Sequence, residues 1–169
     1  ALVRSLIHSR LDYCNSVLVG LLDYMINRLQ SVLRSAARLV LQLPKRSHAL
    51  ERMQAELHWL VYPHRLYYKV GVISYKTCLH GLAPPYLSTR LIKVSDIDGR
   101  SHLRSASDGQ LVIPKSKTKT IGVRGFHISG PTFWNFLPGQ LRDNDLTLRT
   151  FKEQLKTVLF RDAVGKKAL

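Results

Sequence analysis

The sequence is poor in acidic residues and in cysteine. Eleven Asp and Glu stand against 26 Lys and Arg in 169 residues, which gives a formal net charge of +15 at pH 7. The two cysteines, Cys14 and Cys78, are too few for a disulfide framework, which excludes a small secreted scaffold stapled by disulfides. We therefore expect an intracellular protein of the cytoplasm, the nucleus or both.

Long hydrophobic runs are also missing. No apolar stretch approaches the roughly 20 residues that a membrane-spanning helix needs, so we expect no membrane partner. The first ten residues lack the apolar core and the small-residue cleavage site of a signal peptide. Because the chain opens at Ala1 without an initiator Met, we expect it to be a piece of a longer reading frame.

Patterns typical of catalytic and metal sites are absent as well. Polymerases, nucleases and phosphatases use clustered carboxylates to hold divalent metals, but the acidic residues here are scattered and include no adjacent Asp-Asp pair. There is no GxxxxGK[ST], GxSxG or HExxH motif, and the seven histidines do not fall at zinc-ligand spacings. The residues therefore predict that this chain alone is not an enzyme and has no catalytic residue, no metal site and no cofactor.

The chain is instead rich in helical periodicity. Residues 21–43 predict the longest helix, because their apolar residues repeat at intervals of three and four and Pro44 follows. The side of this helix that should face the core comprises Leu22, Met25, Ile26, Leu29, Val32, Leu33, Ala36, Leu39, Val40 and Leu43. Residues 63–80 predict a second long helix with two opposite apolar sides, which is typical of a central helix. Shorter helices are predicted at 47–57 (with Ser47 as the N-cap), 84–92, 131–137 and 147–161.

Bulky aromatic side chains are expected in the core. The helix at 131–137 should bury Phe133, Trp134 and Phe136. Three tyrosines on or beside the central helix can either stack on nucleotide bases or pack between helices, and we favour packing: Tyr62, Tyr67 and Tyr75.

Residues 96–127 differ in composition from the helical parts on either side. They are rich in Ser, Asp, Gly, Lys and Thr, with short β-prone pieces at 111–113 and 120–123. The predicted fold is therefore mainly α. Packed helices at 1–95 and 128–169 form a single module, 1–169, around a basic insert that has a small β element at about 100–125.

Positive charge is densest in this insert, where residues 100–127 carry six basic residues and one acidic residue. In an extended strand, Lys115, Lys117 and Lys119 would point to one side and could follow a phosphodiester backbone. The alternative is a solvated strand edge that lysines protect against aggregation, and the arginines of the helix at 21–43 are likewise either phosphate contacts or a solvated face. The candidate nucleic-acid-binding residues lie in the insert and on both long helices: Arg100, Arg104, Lys115, Lys117, Lys119, Arg124, Arg28, Arg34, Arg38, Arg65, Lys69 and Lys76.

Several phrases of the sequence, taken in order, resemble those of one protein family. They are SRLDYCNSVLVGL (9–21), INRLQSVLRSAARLV (26–40), ELHWLVYPHRLYYKVGVISYKTCLHGLAPPYL (56–87), RSHLRS (100–105), GVRGF (122–126), GPTFWNFLPGQLRD (130–143) and FKEQLKTVLF (151–160). On these phrases the chain resembles the C-terminal region of the reverse transcriptase polyprotein of non-LTR (LINE-type) retrotransposons, downstream of the polymerase palm.

The resemblance implies a parent RNA-directed DNA polymerase, in which this chain would be the thumb and post-thumb region that grips template–primer or element RNA. The implied partners are RNA or DNA and the upstream polymerase domain of the same polyprotein, to which any Mg²⁺ would belong. The family's catalytic motif, an aromatic residue followed by x-Asp-Asp, has no counterpart here, and Val61, Leu33 and Ser35 depart from the family pattern. The alternative is a decayed or repurposed transposon fragment that acts as a protein-interaction or structural module.

Overall fold

The computed structural model describes residues 2–78, 81–116, 118, 122–143 and 145–164, except for the side chain of Val164. Within these residues the chain is mainly helical, as the sequence predicts. Its α-helices are α1 (Ser9–Asp12, preceded by a π-helical turn at Arg4–His8), α2 (Asp23–Val40), α3 (Leu50–Ala55), α4 (Tyr62–Cys78), α5 (Pro85–Ser88), α6 (Arg104–Ser107), α7 (Phe126–Phe136) and α8 (Leu148–Val164). Short 3-10 turns lie at Asn15–Leu18, Val94–Asp96, Gly122–Arg124 and Gly139–Arg142. None of the helices in the described parts is long and apolar enough to cross a bilayer.

Helix α4 is the centre of the fold, as its two apolar sides predict. It packs against α2, α7, α8 and the 3-10 turn at Asn15–Leu18. Gly71 permits a close approach, because a Cβ built there would lie 2.9 Å from both Leu155 Cδ2 on α8 and Phe133 Cε1 on α7. Glycine at this position therefore lets three helices meet without displacing either neighbour.

Helix α2 confirms the longest predicted helix but is shorter at both ends. After its last turn the backbone reverses at Gln42, whose φ of +53° lies in the left-handed region. The N–H of Leu43 bonds to the Arg38 carbonyl at 2.9 Å, and the N–H of Gln42 bonds to the Leu39 carbonyl at 3.4 Å. This pair of hydrogen bonds is a Schellman motif, which satisfies the last carbonyls of the helix.

The side of α2 that was expected to face the core is only partly buried. Five residues of the helix are buried: Ile26, Gln30, Leu33, Ala36 and Ala37. Another five apolar residues at or beside the helix are exposed: Leu22, Met25, Val32, Leu39 and Val40. The predicted burial is wrong for the second set, because α3 and α4, which pack on α2, cover one side of it.

The aromatic core lies where α4, α7 and α8 meet. Tyr75 stacks on Phe151 with ring centroids 4.1 Å apart. Tyr62 and Tyr75 are buried, so packing rather than base stacking is confirmed for both. Tyr67 is half-buried and stacks on Phe133 with centroids 5.2 Å apart, so it also packs against the core.

Helix α7 begins at Phe126, five residues before the predicted start at Pro131, which lies inside the helix. Phe133 and Trp134 are buried as predicted, and Trp134 Nε1 donates to the Gly109 carbonyl at 3.0 Å. The predicted burial of Phe136 is wrong, since it is 55% exposed. Phe136 follows Trp134 by two positions, which places it about 200° further around the helix and away from the core.

The β element predicted in the insert is reduced to one antiparallel bridge, between Lys93 and Leu111, in the part of the chain that the structure describes. On its other side, Leu111 pairs with a side chain instead of a second strand. The amide of Asn135 accepts from the Leu111 N–H and donates to the Leu111 carbonyl, both at 2.8 Å. Thr120 and Ile121 lie outside the described residues, and Gly122–Arg124 forms a 3-10 turn where a strand was expected.

The remaining predicted helices are found with shifted ends. Helix α8 confirms the prediction at 147–161, whereas the helices predicted at 47–57 and 84–92 are reduced to α3 and α5. Ser47 does not cap α3, because its hydroxyl donates to the Pro44 carbonyl at 2.7 Å and the helix begins after Ala49. The hydroxyl instead stabilises the turn between α2 and α3.

Candidate nucleic-acid interface

A cavity of about 340 Å³ opens beside α4 and is lined mainly by basic and aromatic side chains. We call it the basic cleft. Its lining comes from the N-terminal segment (Arg4, His8, Asp12 and Asn15), the connection before α4 (His58, Trp59 and Leu60), α4 (Arg65, Tyr68 and Lys69) and α8 (Lys156).

Helix α4 forms one side of the cleft. Arg65, Tyr68 and Lys69 are spaced by three and four residues, so they share one face of the helix. The burial of Leu66 and Val70 in the core fixes the rotation of α4 and turns that face outward. Two of the predicted nucleic-acid-binding residues, Arg65 and Lys69, are therefore brought to one site.

Positive charge exceeds negative charge in the cleft. One carboxylate, Asp12, pairs with Arg65 through Nε at 2.9 Å and also through Nη2, which is a bidentate arrangement. The Arg65 side chain is only 13% exposed, so this pair orients Arg65 and neutralises it. Arg4, Lys69 and Lys156 have no carboxylate partner among the described residues, and they give the cleft its net positive charge.

His8 is a neutral member of this basic site. Its ring meets Trp59 edge-on with ring centroids 4.2 Å apart. Burial lowers the pKa of His8 below its usual 6.5, and the positive charge of Arg65 lowers it further, so the imidazole is neutral at pH 7. Its Nε2 is buried and has no hydrogen-bond partner within the described parts of the chain.

The connection before α4 has an unusual backbone at the cleft. His58 has a φ of +52°, a left-handed conformation that histidine adopts more readily than most residues with a Cβ. The next residue, Trp59, donates its N–H to the Met53 carbonyl at 3.2 Å, and Leu60 is buried. The left-handed residue thus turns the chain so that Trp59 lines the cleft while Leu60 enters the core.

Tyr62 joins the elements around the cleft. Its hydroxyl donates to the Leu11 carbonyl at 3.1 Å, and its N–H donates to Gln30 Oε1 at 2.5 Å. These bonds connect α4 to the N-terminal segment and to α2. Burial raises the pKa of the Tyr62 hydroxyl above its usual value, so it remains a donor at neutral pH.

The arginines predicted on α2 are not in the basic cleft. Arg34 and Arg38 line a separate cavity of about 220 Å³ together with Arg46 and His48 from the connection to α3. Arg28 is exposed on the same helix. Two of the predicted arginines of α2, Arg34 and Arg38, therefore lie in a second cavity, whereas Arg28 lines neither cavity.

The described candidate residues of the insert differ in their exposure. Arg100, Arg104 and Lys115 are exposed, whereas Arg124 is half-buried and donates from Nη2 to the Val17 carbonyl at 3.4 Å. Lys76, on α4, is half-buried. Lys117 and Lys119 lie outside the described residues.

The described neighbours of these lysines, Ser116 and Thr118, are joined by local hydrogen bonds. Ser116 Oγ donates to the Thr118 carbonyl at 2.6 Å and accepts from the Thr118 N–H at 3.2 Å. Hydrogen bonds between residues two apart are typical of a turn rather than a strand.

Sequence reasoning missed Arg4, His8, Trp59 and Lys156 as members of the cleft, and Arg46 as a member of the second cavity. Their separation along the chain, from residue 4 to residue 156, leaves no local pattern that would group them. One local signal was present, because His58-Trp59 belongs to the longest phrase on which the family resemblance rests.

Metal coordination has no candidate in the part of the chain that the structure describes. No group of three or more His, Cys, Asp or Glu side chains there is arranged to hold a metal ion. No family model, curated protein or solved structure matches the chain. Function is therefore inferred from the cleft itself and from the sequence resemblance.

Proposed function

We propose that the chain is a nucleic-acid-binding accessory region of an RNA-directed DNA polymerase of the non-LTR retrotransposon type, and that the basic cleft grips the strand. The observation that carries this proposal is the convergence of Arg4, Lys69 and Lys156, from three separate parts of the chain, around Trp59 and Tyr68. Cations beside partly exposed aromatic rings are an arrangement that single-stranded nucleic acids bind.

The two kinds of side chain have different roles in this proposal. The three cations neutralise phosphates and release condensed counterions, which gives affinity that depends on salt and not on base sequence. Trp59 and Tyr68 are both half-buried and offer part of a ring to an unstacked base. Arg65 acts through its ion pair with Asp12, as a support that keeps the N-terminal segment against α4.

The small number of carboxylates in the cleft fits a role in binding rather than in catalysis. Two-metal polymerase sites use several carboxylates, and the single one here is already held by Arg65. In this proposal the polymerase domain lies upstream in the same polyprotein and holds any Mg²⁺. The chain would then act wherever that polymerase meets RNA or DNA, in the cytoplasm, the nucleus or both.

The test is a salt titration of binding to a labelled single-stranded RNA, measured by fluorescence anisotropy for the wild type and for the double variant Lys69→Gln/Lys156→Gln. Each phosphate contact on a single strand contributes about −0.7 to the slope of log K against log salt. Loss of two contacts should therefore flatten the slope by about 1.4 and weaken every sequence alike.

Lys152→Gln is the matched control, because Lys152 lies one turn before Lys156 on α8 and is not part of the cleft lining. This variant should change the slope by less than the loss of one contact. An identical slope for the wild type and the cleft variant would refute the proposed role of the cleft.

The second candidate function is protein interaction, and the exposed stripe of α2 favours it. Leu22, Met25, Val32 and Leu39 are exposed and are spaced by three or seven residues, as on the seam of a helix that pairs with another. If this stripe carries the function, Val32→Asp should alter the association state in sedimentation velocity while leaving RNA affinity unchanged.

A further inference from the structure

A second basic cavity lies at the end of α2, away from the basic cleft. Arg34 and Arg38 line it from the helix, and Arg46 and His48 line it from the connection to α3. We call this cavity of about 220 Å³ the arginine pocket. Arg34 and Arg38 face it together because residues four apart share one side of a helix.

The pocket is held by hydrogen bonds around Arg38. Arg38 donates from Nε to the Ser47 carbonyl at 3.2 Å and from Nη1 to Ser35 Oγ at 3.3 Å. The N–H and the hydroxyl of Ser47 both donate to the Pro44 carbonyl, at 3.0 and 2.7 Å. One guanidinium and the connection that carries Arg46 are therefore positioned before any ligand arrives.

The charges of the pocket are not balanced. None of its three arginines forms an ion pair with a carboxylate of the described residues. Arg34 Nε is buried and has no hydrogen-bond partner among those residues. A buried donor without a partner is costly, and nearby like charges repel, so an anion among the three guanidinium groups would relieve the repulsion.

We propose that the arginine pocket binds one phosphate group. Guanidinium groups form paired hydrogen bonds with phosphate oxygens. A phosphate presents oxygens in several directions, which suits three arginines from two elements better than the planar pair of oxygens of a carboxylate. That the phosphate belongs to a nucleic acid rests on the proposed function, whereas binding of the phosphate group itself does not.

The first experiment follows the arginine Nε–H signals of the full chain by NMR while sodium phosphate replaces sodium chloride at constant ionic strength. The Arg34 signal, assigned by its loss in Arg34→Gln, should shift saturably. Arg46→Gln should weaken phosphate binding about tenfold or more, since it removes one charge-assisted partner. Arg46 is exposed on the connection, so this variant should keep the fold.

Arg28→Gln is the matched control, because Arg28 is exposed on the same helix and is not part of the pocket lining. It makes the same change of net charge and should leave the phosphate affinity at the wild-type value. Equal affinities in the wild type, Arg28→Gln and Arg46→Gln would overturn the proposal, as would an Arg34 signal that phosphate does not shift.

A second experiment separates the sources of the phosphate. Single-stranded RNAs with and without a 5′-phosphate are compared on the wild type and on Arg46→Gln. If the pocket binds a terminal phosphate, the wild type should bind the phosphorylated strand more tightly, and Arg46→Gln should abolish that difference. If the pocket binds an internal phosphodiester, the wild type should bind both strands equally, and Arg46→Gln should weaken the binding of both equally. If Arg46→Gln leaves the affinity for both strands unchanged but weakens the binding of inorganic phosphate, the pocket binds free phosphate and its link to nucleic acid is overturned. The Lys69→Gln/Lys156→Gln result reports on the basic cleft independently of all three outcomes.

Discussion

The side-chain amide of Asn135 pairs with the backbone of Leu111 as a neighbouring strand would, with both hydrogen bonds at 2.8 Å. Leu111 is buried, and its bridge to Lys93 occupies its opposite edge. Asn135 thus attaches the insert to α7, next to the hydrogen bond from Trp134 Nε1 to the Gly109 carbonyl.

Changing Asn135→Ala should lower the free energy of unfolding by about 2–3 kcal/mol, because it leaves a buried N–H and a buried carbonyl of Leu111 without partners. Urea denaturation monitored by tryptophan fluorescence measures the loss. Phe136→Ala, which truncates the largely exposed neighbour, is the control and should cost much less. Equal losses for the two variants would show that the amide pairing contributes nothing of its own.

Gly71→Ala should destabilise the protein although alanine is the better helix former. The added Cβ would lie 2.9 Å from Leu155 Cδ2 and Phe133 Cε1, both in the packed core. Overpacking costs about 1–3 kcal/mol against a helix-propensity gain of about 1 kcal/mol, so we expect a net loss of up to about 2 kcal/mol in thermal or urea unfolding. Gly139→Ala, where the new Cβ would come no closer than 3.8 Å to Arg142 Nη2, should be nearly neutral. A gain in stability for Gly71→Ala would contradict the close approach of the three helices.

Gln42→Gly should stabilise the protein by about 0.5–1 kcal/mol, because glycine adopts the left-handed conformation at the end of α2 without the penalty of a Cβ. Differential scanning calorimetry can measure the shift in Tm. Ser31→Gly, in the exposed middle of the same helix, should have the opposite sign, since glycine is a poorer helix former than serine by about 0.5 kcal/mol. A lower Tm for both variants would count against the Schellman geometry.

Acidification should lower the free energy of unfolding through two histidines, His8 and His64. Burial lowers the pKa of His8, with a further contribution from Arg65, and burial also lowers the pKa of His64. In the unfolded chain both groups titrate near 6.5. The unfolded state therefore binds more protons than the native state as the pH falls through that value, and the free energy of unfolding decreases until the lower native pKa values are passed.

The measurement is the urea midpoint at neutral and at mildly acidic pH. His8→Gln and His64→Gln should each reduce the loss of stability on acidification, because glutamine takes up no proton. His102→Gln, at an exposed position of the insert, is the control and should follow the wild type. If the wild type is equally stable at both pH values, neither histidine is held neutral by the fold.

The lysines of the insert remain a prediction of the sequence. Changing Lys115, Lys117 and Lys119 together to Gln should flatten the salt dependence of RNA binding by about two units, at about 0.7 per contact. Stability should barely change, since exposed charges contribute little. Unchanged affinity with increased aggregation would instead favour the interpretation of a protected edge.

The helices that could be predicted were those whose periodicity is strong. The pattern at 21–43 and the two apolar sides at 63–80 located α2 and the central α4, because periodic burial is encoded in neighbouring residues. Periodicity could not predict three features: the ends of α2, the exposure of Val32 and Leu39, and the missing strand at 111–113. The C-terminal end of α2 depends on the left-handed backbone of Gln42, and the exposure of Val32 and Leu39 depends on how little of α2 its neighbours cover. The missing strand depends on the side-chain amide of Asn135, which pairs with Leu111 in its place.

The sequence by itself determined the helical class, the excess of positive charge and the placement of Arg65 and Lys69 on one face of α4. Only the tertiary structure decided which charges act together. It brought Arg4 and Lys156 to the same cleft and placed Arg65 in an ion pair with Asp12. It also grouped Arg34 and Arg38 with Arg46 in the arginine pocket. The physical reason is that helical periodicity is a property of residues a few positions apart, whereas a cleft is formed by residues that only the packing of helices on α4 brings together.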